Sequence, residues 1–219
     1  MTKTFLVAGF TTILLACNNN SNDNAAGSDS LNHPAVSETG SGTHTQNQMN
    51  PVTATMNSMM HEMHGAKPTG NNDVDFATMM LVHHKGAVEM SKVELDKGKN
   101  AELKAFAREV IEDQDKEIRF MQDFISKAAR IRSPDSAAFQ KALNGSMMAM
   151  MDGNTTIYND IDKDFAAQMI PHHQSAVDMA KAYLQSGQEK SLTTLCRNII
   201  SSQEKEIKWL KDWLTKNGL

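Results

Sequence analysis

From Asp75 to the C-terminus, apolar residues recur at intervals of three and four, the spacing that lines one face of an α-helix. Leu103, Phe106, Val110, Ile111, Ile118, Met121 and Ile125 follow this rule, as do Leu192, Leu195, Ile199, Ile200, Ile207, Leu210 and Leu214, and charged residues fill the opposite faces. The stretches from Asp75 to Lys97 and from Asp164 to Ser186 carry the same spacing, and Gly98 and Gly187 stand where a C-terminal glycine cap is expected. No alternation of β-branched and polar residues predicts a strand. The pattern therefore predicts two helical hairpins and an all-α fold.

The two hairpins are copies of one unit. "DFATMMLVHHKGAVEM" from Asp75 aligns without a gap on "DFAAQMIPHHQSAVDM" from Asp164, an offset of 164 − 75 = 89. The register carries on through Gly98 and Gly187, Leu103 and Leu192, Arg108 and Arg197, Gln114 and Gln203, and the "KEI" at 116–118 and 205–207. Upstream, "SMMHEMHG" at 58–65 resembles "SMMAMMDG" at 146–153, with the offset shifted by one. One hairpin leaves its apolar stripes open, so the two are expected to pack as a four-helix bundle with approximate two-fold symmetry, each preceded by a short Met-rich helix or flap. Pro171 has no counterpart at Val82, so the second copy is expected to lose a backbone hydrogen bond and bend near its histidines. The repeats are placed at residues 56–127 and 140–219.

The first 55 residues belong to neither repeat. Lys3 precedes an apolar run from Phe5 to Ala16, and "LLAC" at 14–17 has the form of a secretory signal that ends in a lipobox, with Cys17 as the residue to be lipidated. The run is shorter than the roughly 20 residues of a membrane-spanning helix. Residues 18–55 are rich in Asn, Ser, Thr and Gly and hold few large apolar side chains, so they read as a flexible tether. These features predict a lipid-anchored protein of the cell envelope, working outside the cytoplasm. A net charge of −4 argues against a nucleic-acid binder. Cys196, the one cysteine besides Cys17, has no intramolecular disulfide partner if the signal is removed at Cys17, and its alignment with Ala107 predicts a small buried side chain.

The candidate chemistry lies in the repeated histidines and methionines. On a helix, Met80, His83, His84, Ala87 and Met90 share one broad face, and Met169, His172, His173, Ala176 and Met179 repeat it. Six of the eight histidines fall in these motifs or in the Met-rich segment, as His61, His64, His83, His84, His172 and His173. Met56, Met59, Met60 and Met63 precede the first copy, and Met147, Met148, Met150 and Met151 the second. Thioether sulfur is soft and neutral and favours Cu(I) or Ag(I), with imidazole as a stronger nitrogen ligand; zinc would be expected to recruit cysteine or carboxylate.

The candidate ligands are thus His83, His84, His172, His173, Met80, Met169, Met59, Met60, Met63, His61, His64, Met147, Met148 and Met151. Against this, methionine also fills gaps in helical cores, which is the reading for Met90, Met121 and Met179. The Met-rich segments remain open between ligands and an amphipathic flap. Gln114 and Gln203 interrupt apolar stripes and are placed to hydrogen-bond a histidine ring or to be satisfied within the core; for Glu117 and Glu206 a solvated helix face is the plainer expectation.

The tandem "DF…M…HH…A…M" helices, each followed by a "Q…KEI" helix, resemble domain-of-unknown-function family 305 (DUF 305) from about residue 56 to the C-terminus. The resemblance implies a ferritin-like fold and, since Met-rich members include periplasmic copper-binding proteins, copper handling with copper ions and an envelope copper-handling protein as partners. The chain is expected not to be an enzyme. A di-iron oxidase would need Glu-x-x-His pairs, which do not occur, and no serine or cysteine is paired with a base as in a nucleophilic hydrolase. The alternative to metal binding is a helical interaction module of the envelope.

Overall fold

The computed structural model describes residues 50–129, 131–151 and 155–218. The signal at 1–17 with Cys17, and the tether up to residue 49, lie outside the described residues. Among those described there are seven helices and no strand: α1 Pro51–Gly65, α2 Asn72–Lys97, α3 Ala101–Lys127, α4 Ser136–Ser146, α5 Met148–Met151, α6 Ile161–Ser186 and α7 Lys190–Lys216. None of these helices is long and apolar enough to cross a membrane. The expected hairpins are α2 with α3 and α6 with α7.

The helix starts follow side-chain caps. Asn71 accepts the N–H of Val74, Asp160 that of Lys163, Asn100 those of Glu102 and Leu103, and Glu189 that of Ser191. These caps start α2 and α6 three residues before the expected Asp75 and Asp164. Likewise Asn50 caps α1 with Pro51 in its first turn, so helix begins inside the stretch read as tether. The Met-rich segments differ from each other: α1 is one continuous helix, whereas its counterpart is split into α4 and the four-residue α5. α6 runs on through Pro171.

Gly98 and Gly187 stand at the C-caps of α2 and α6 as expected, but not in the left-handed conformation that favours glycine. Gly98 and Gly187 have extended backbone, φ −66° and −80°, which any residue adopts. What excludes a side chain is space: a Cβ on Gly98 would overlap the Glu94 carboxyl, and one on Gly187 the ring of Tyr183. Gly86 is comparable, since a Cβ there would run into Met59, whose side chain seats α1 on α2.

α2 and α6 lie antiparallel across each other. Asp73 near the start of α2 meets Tyr183 near the end of α6, and Asp162 at the start of α6 meets the turn after α2 through the N–H groups of Lys99 and Asn100. The core is shared: Phe76, Met80, Ala87 and Met90 from α2 and Phe165, Met169, Ala176 and Met179 from α6 are buried with Leu103, Leu192 and Leu210. Met121 and Cys196 are buried there too, as expected for core residues. On the outside, Phe106 of α3 stacks on Trp209 of α7 with ring centres 4.8 Å apart, joining the hairpins a second time.

The aspartates of the two "DF" motifs hold the incoming chain. Buried Asp75 accepts from the Thr69 N–H and hydroxyl, the Gly70 N–H and the Gln140 amide of α4. Buried Asp164 accepts from the N–H groups of Tyr158 and Asp160 and from the Asn50 amide that starts α1. Each carboxylate thereby ties its own helix to a segment of the other half. Replacing Asp164 by Ala strands these donors, and hydrogen bonds to a charged group contribute about 1.5–3 kcal/mol each. Asp164→Ala is expected to destabilise the protein by about 3 kcal/mol in urea unfolding and to raise amide exchange at the start of α1; an unchanged midpoint would contradict this anchoring role.

Candidate metal centre

The antiparallel crossing brings all four repeated histidines into the core, and His83, His84, His172 and His173 are all fully buried. The His83 and His172 rings pack on each other with centroids 3.7 Å apart at 38°. The His172 Nε2–H donates to the His83 carbonyl at 3.1 Å, which leaves the His172 Nδ1 lone pair free of a proton. His84 Nε2 lies 2.7 Å from Glu117 Oε2, and His173 Nε2 lies 2.8 Å from Glu206 Oε2. The first contact is aligned as a hydrogen bond, whereas the second is equally short but off line. Both glutamates reach solvent while their histidines do not.

It is therefore Glu117 and Glu206, one turn beyond Gln114 and Gln203, that meet the histidines. The glutamines are buried and their carboxamide oxygens have no protein partner. Both glutamates follow their histidines by 33 residues and repeat at the same offset of 89, but spacing alone does not tell such a contact from a solvated face. Neither nitrogen of His83 has a side-chain or backbone partner, nor does Nδ1 of His84, His172 or His173. These are buried ring nitrogens without a hydrogen-bond partner. Among the described residues, however, no three His, Cys, Asp or Glu side chains are placed to hold one ion. Met80 and Met169 are buried in the same core.

The Met-rich segments meet elsewhere. Met63 and His64 from the end of α1, Met79 from α2, Met147 ahead of α5 and Met151 within it line one cavity of about 370 Å³, with Asp75, Gln140 and Asn144 on its wall. Met63, Met79 and Met147 are nearly buried, whereas His64 and Met151 stand at the exposed rim. Four thioethers and one imidazole from three separate segments thus converge on a solvent-reachable space. That donor set suits a soft monovalent cation better than zinc, calcium or magnesium. Met79 escaped the sequence reading because its aligned counterpart is Gln168 and the repeat drew attention to Met80 instead.

Other candidates lie apart from this cavity. Met59 is buried against Gly86, Met60 is half-buried on α1, and His61 is exposed. Met148 is 61% exposed and belongs to no lining. The Cys196 thiol is pushed up by burial and by the nearby Glu117 charge, so it stays protonated and is a poor soft-metal ligand as it stands.

Comparison with known proteins places the chain in a family. The family model "Domain of unknown function (DUF305)" matches residues 18–125 and 73–214. The chain belongs to the DUF305 family. Among solved structures it is similar to CopM in the Cu(I)-bound form, with 32% identity and a TM-score of 0.51 over 67% of this chain and 98% of CopM. CopM in an Ag-bound form obtained by co-crystallisation matches at 33% identity and a TM-score of 0.51, over 66% and 96% of the two chains. A DUF305 protein from Streptomyces coelicolor shares the fold at 24% identity, with a TM-score of 0.55 over 69% and 95%. No curated protein sequence matches.

Burial holds the His83 and His172 imidazoles well below their ordinary range, and the neighbouring histidines push the same way. Both rings are neutral in the folded protein. A histidine whose folded pKa is depressed contributes stability above its unfolded value near 6.5 and loses it as pH falls below that value. The loss reaches about 1.4 kcal/mol per pH unit per histidine. His83→Gln, which cannot titrate, is expected to lose less stability than the unmodified protein as pH falls from 6.5 to 5, read from urea midpoints of the two proteins. Parallel slopes for the two would show that His83 is not held neutral.

Proposed function

We propose that this protein binds Cu(I), or Ag(I), through methionine and histidine in the cell envelope, and that it buffers copper, delivers it or protects against it. The observation that carries the reading is the cavity where Met63, Met79, Met147, Met151 and His64 meet. Copper is cargo here, and thioethers accept it without the risk of disulfide cross-links that cysteine would bring outside the cytoplasm. The similarity to CopM, solved with Cu(I), Cu(II) and Ag, supports a copper-related role. We read the helical frame as a ferritin-like four-helix bundle that positions the ligand segments, with the chain a binding protein rather than an enzyme.

The four core histidines form a second store of nitrogen donors, and reaching them requires the Glu117 and Glu206 side chains to move aside. Lipidation at Cys17 with a tether behind it fits a protein that works at a membrane surface and hands copper to another envelope protein.

An anaerobic Cu(I) titration against a competing chelator, with Zn(II) run in parallel, tests the reading. Tight binding selective for Cu(I) is expected. Replacing Met79 and Met147 together by Leu conserves side-chain volume, so the fold is retained, while Cu(I) affinity should weaken at least tenfold, about 1.4 kcal/mol or more. If the unmodified protein takes no Cu(I) from the chelator, the copper reading fails and a helical interaction module becomes the better account.

A further inference from the structure

The pseudo-two-fold relation pairs two corners of the molecule whose aspartate, glycine and backbone donors correspond but whose buried side chain differs. At the first corner Asp73 accepts the N–H groups of Gln188 and Glu189, at 3.1 and 3.4 Å, and the Tyr183 hydroxyl donates to the same Oδ1 at 2.6 Å. At the second corner Asp162, the counterpart of Asp73 at the offset of 89, accepts the N–H groups of Lys99 and Asn100 at 2.8 and 2.9 Å. The position matching Tyr183 is Glu94. Gly187 makes room for the tyrosine ring and Gly98 for the glutamate carboxyl in the same way. Two corners, two aspartates, two glycines and four backbone donors correspond; the hydroxyl has been exchanged for a carboxyl.

Glu94 is fully buried, and neither of its oxygens receives an N–H or O–H. It faces Asp162 within hydrogen-bonding reach. Two charged carboxylates in contact in a buried place repel and forgo solvation, whereas one shared proton turns the contact into a strong hydrogen bond. Asp162 already accepts two backbone N–H groups at its Oδ1, whereas the Glu94 oxygens accept none. The proton therefore sits on Glu94.

We propose that Glu94 is a protonated carboxylic acid that donates to Asp162, taking the part that the Tyr183 hydroxyl plays toward Asp73, so that the corner joining α2 to α6 is a latch closed by a bound proton. The tyrosine latch is indifferent to pH across the physiological range, and the glutamate latch is not. Besides Asp162, Asp160 at the start of α6 favours the protonated form, and Lys104 on α3 opposes it. Burial is the leading cause, and the Glu94 carboxyl is pushed up to about 8. On the same helix start, Asp164 accepts from the Asn50 amide that caps α1.

The sign follows from the raised value. Stability from the latch is complete below the unfolded glutamate value near 4.5 and is lost as pH rises toward about 8, with the folding equilibrium constant falling by up to tenfold per pH unit in between. Thermal or urea unfolding from pH 6.5 to 9 tests it. Glu94→Gln keeps a donor, its amide, toward Asp162 at every pH and is expected to remove the alkaline slope that the unmodified protein shows. Parallel slopes for the two proteins would overturn the proposal. A second readout needs no substitution: in the full chain labelled with carbon-13 at the glutamate carboxyls, one resonance, assigned to Glu94, is expected to titrate near pH 8. A Glu94 carboxyl already ionised at pH 6 would overturn the proposal even where the variant fails to fold.

Discussion

Everything else in this molecule hangs on the antiparallel contact between α2 and α6. A hairpin of α2 and α3 alone would expose the face carrying Phe76, Met80, Ala87 and Met90, and burying it requires the matching face of Phe165, Met169, Ala176 and Met179. Because both helices carry the same motif, the two-fold relation sets His83 against His172 at 3.7 Å near the middle of the crossing. Two cations at that separation in a dry core would repel strongly, so the crossing is compatible only with neutral rings. The contact that assembles the fold therefore also sets the protonation state of the residues that look most like ligands.

Much of this was legible in the sequence because it was repeated. The offset of 89 located the hairpins, and the alternation of three and four placed their buried faces. The symmetry of Asp75 with Asp164, and of Glu117 with Glu206, was present in the same alignment but carried no pattern to distinguish a structural carboxylate from a solvated one. Their roles depend on chain segments far away: Asp75 meets Gln140, Asp164 meets Asn50, and Glu117 meets His84. Periodicity reports which face of a helix is buried; it does not report which distant segment arrives at that face.

The candidate centre was legible as composition and illegible as geometry. The ligand types were visible in the Met-rich segments, yet which of them meet was not, and among the described residues methionines of both segments line one cavity. The cause is a local break in symmetry. α1 is continuous and buries Met59 and Met63, while α4 and α5 are separate and leave Met148 and Met151 in solvent. The cavity forms where these unequal segments meet, with Met79 of α2 beside them, so it draws on both halves.

Departures from symmetry are thus where the chemistry sits. In a bundle assembled from two copies, positions such as Asp75 and Asp164 or Phe76 and Phe165 keep the same residue in both and serve the shared frame. Positions that differ are free of that demand. Met79 opposite Gln168, and Glu94 opposite Tyr183, each substitute a group with new chemistry into an environment already stabilised by its twin. A thioether that lines a cavity and a carboxyl that must carry a proton are both tolerated because the surrounding frame is overdetermined: paired aspartates, backbone donors and a common core hold the corner and the crossing in place. The duplication supplies the stability, and the differences between the copies supply a place for function to be added.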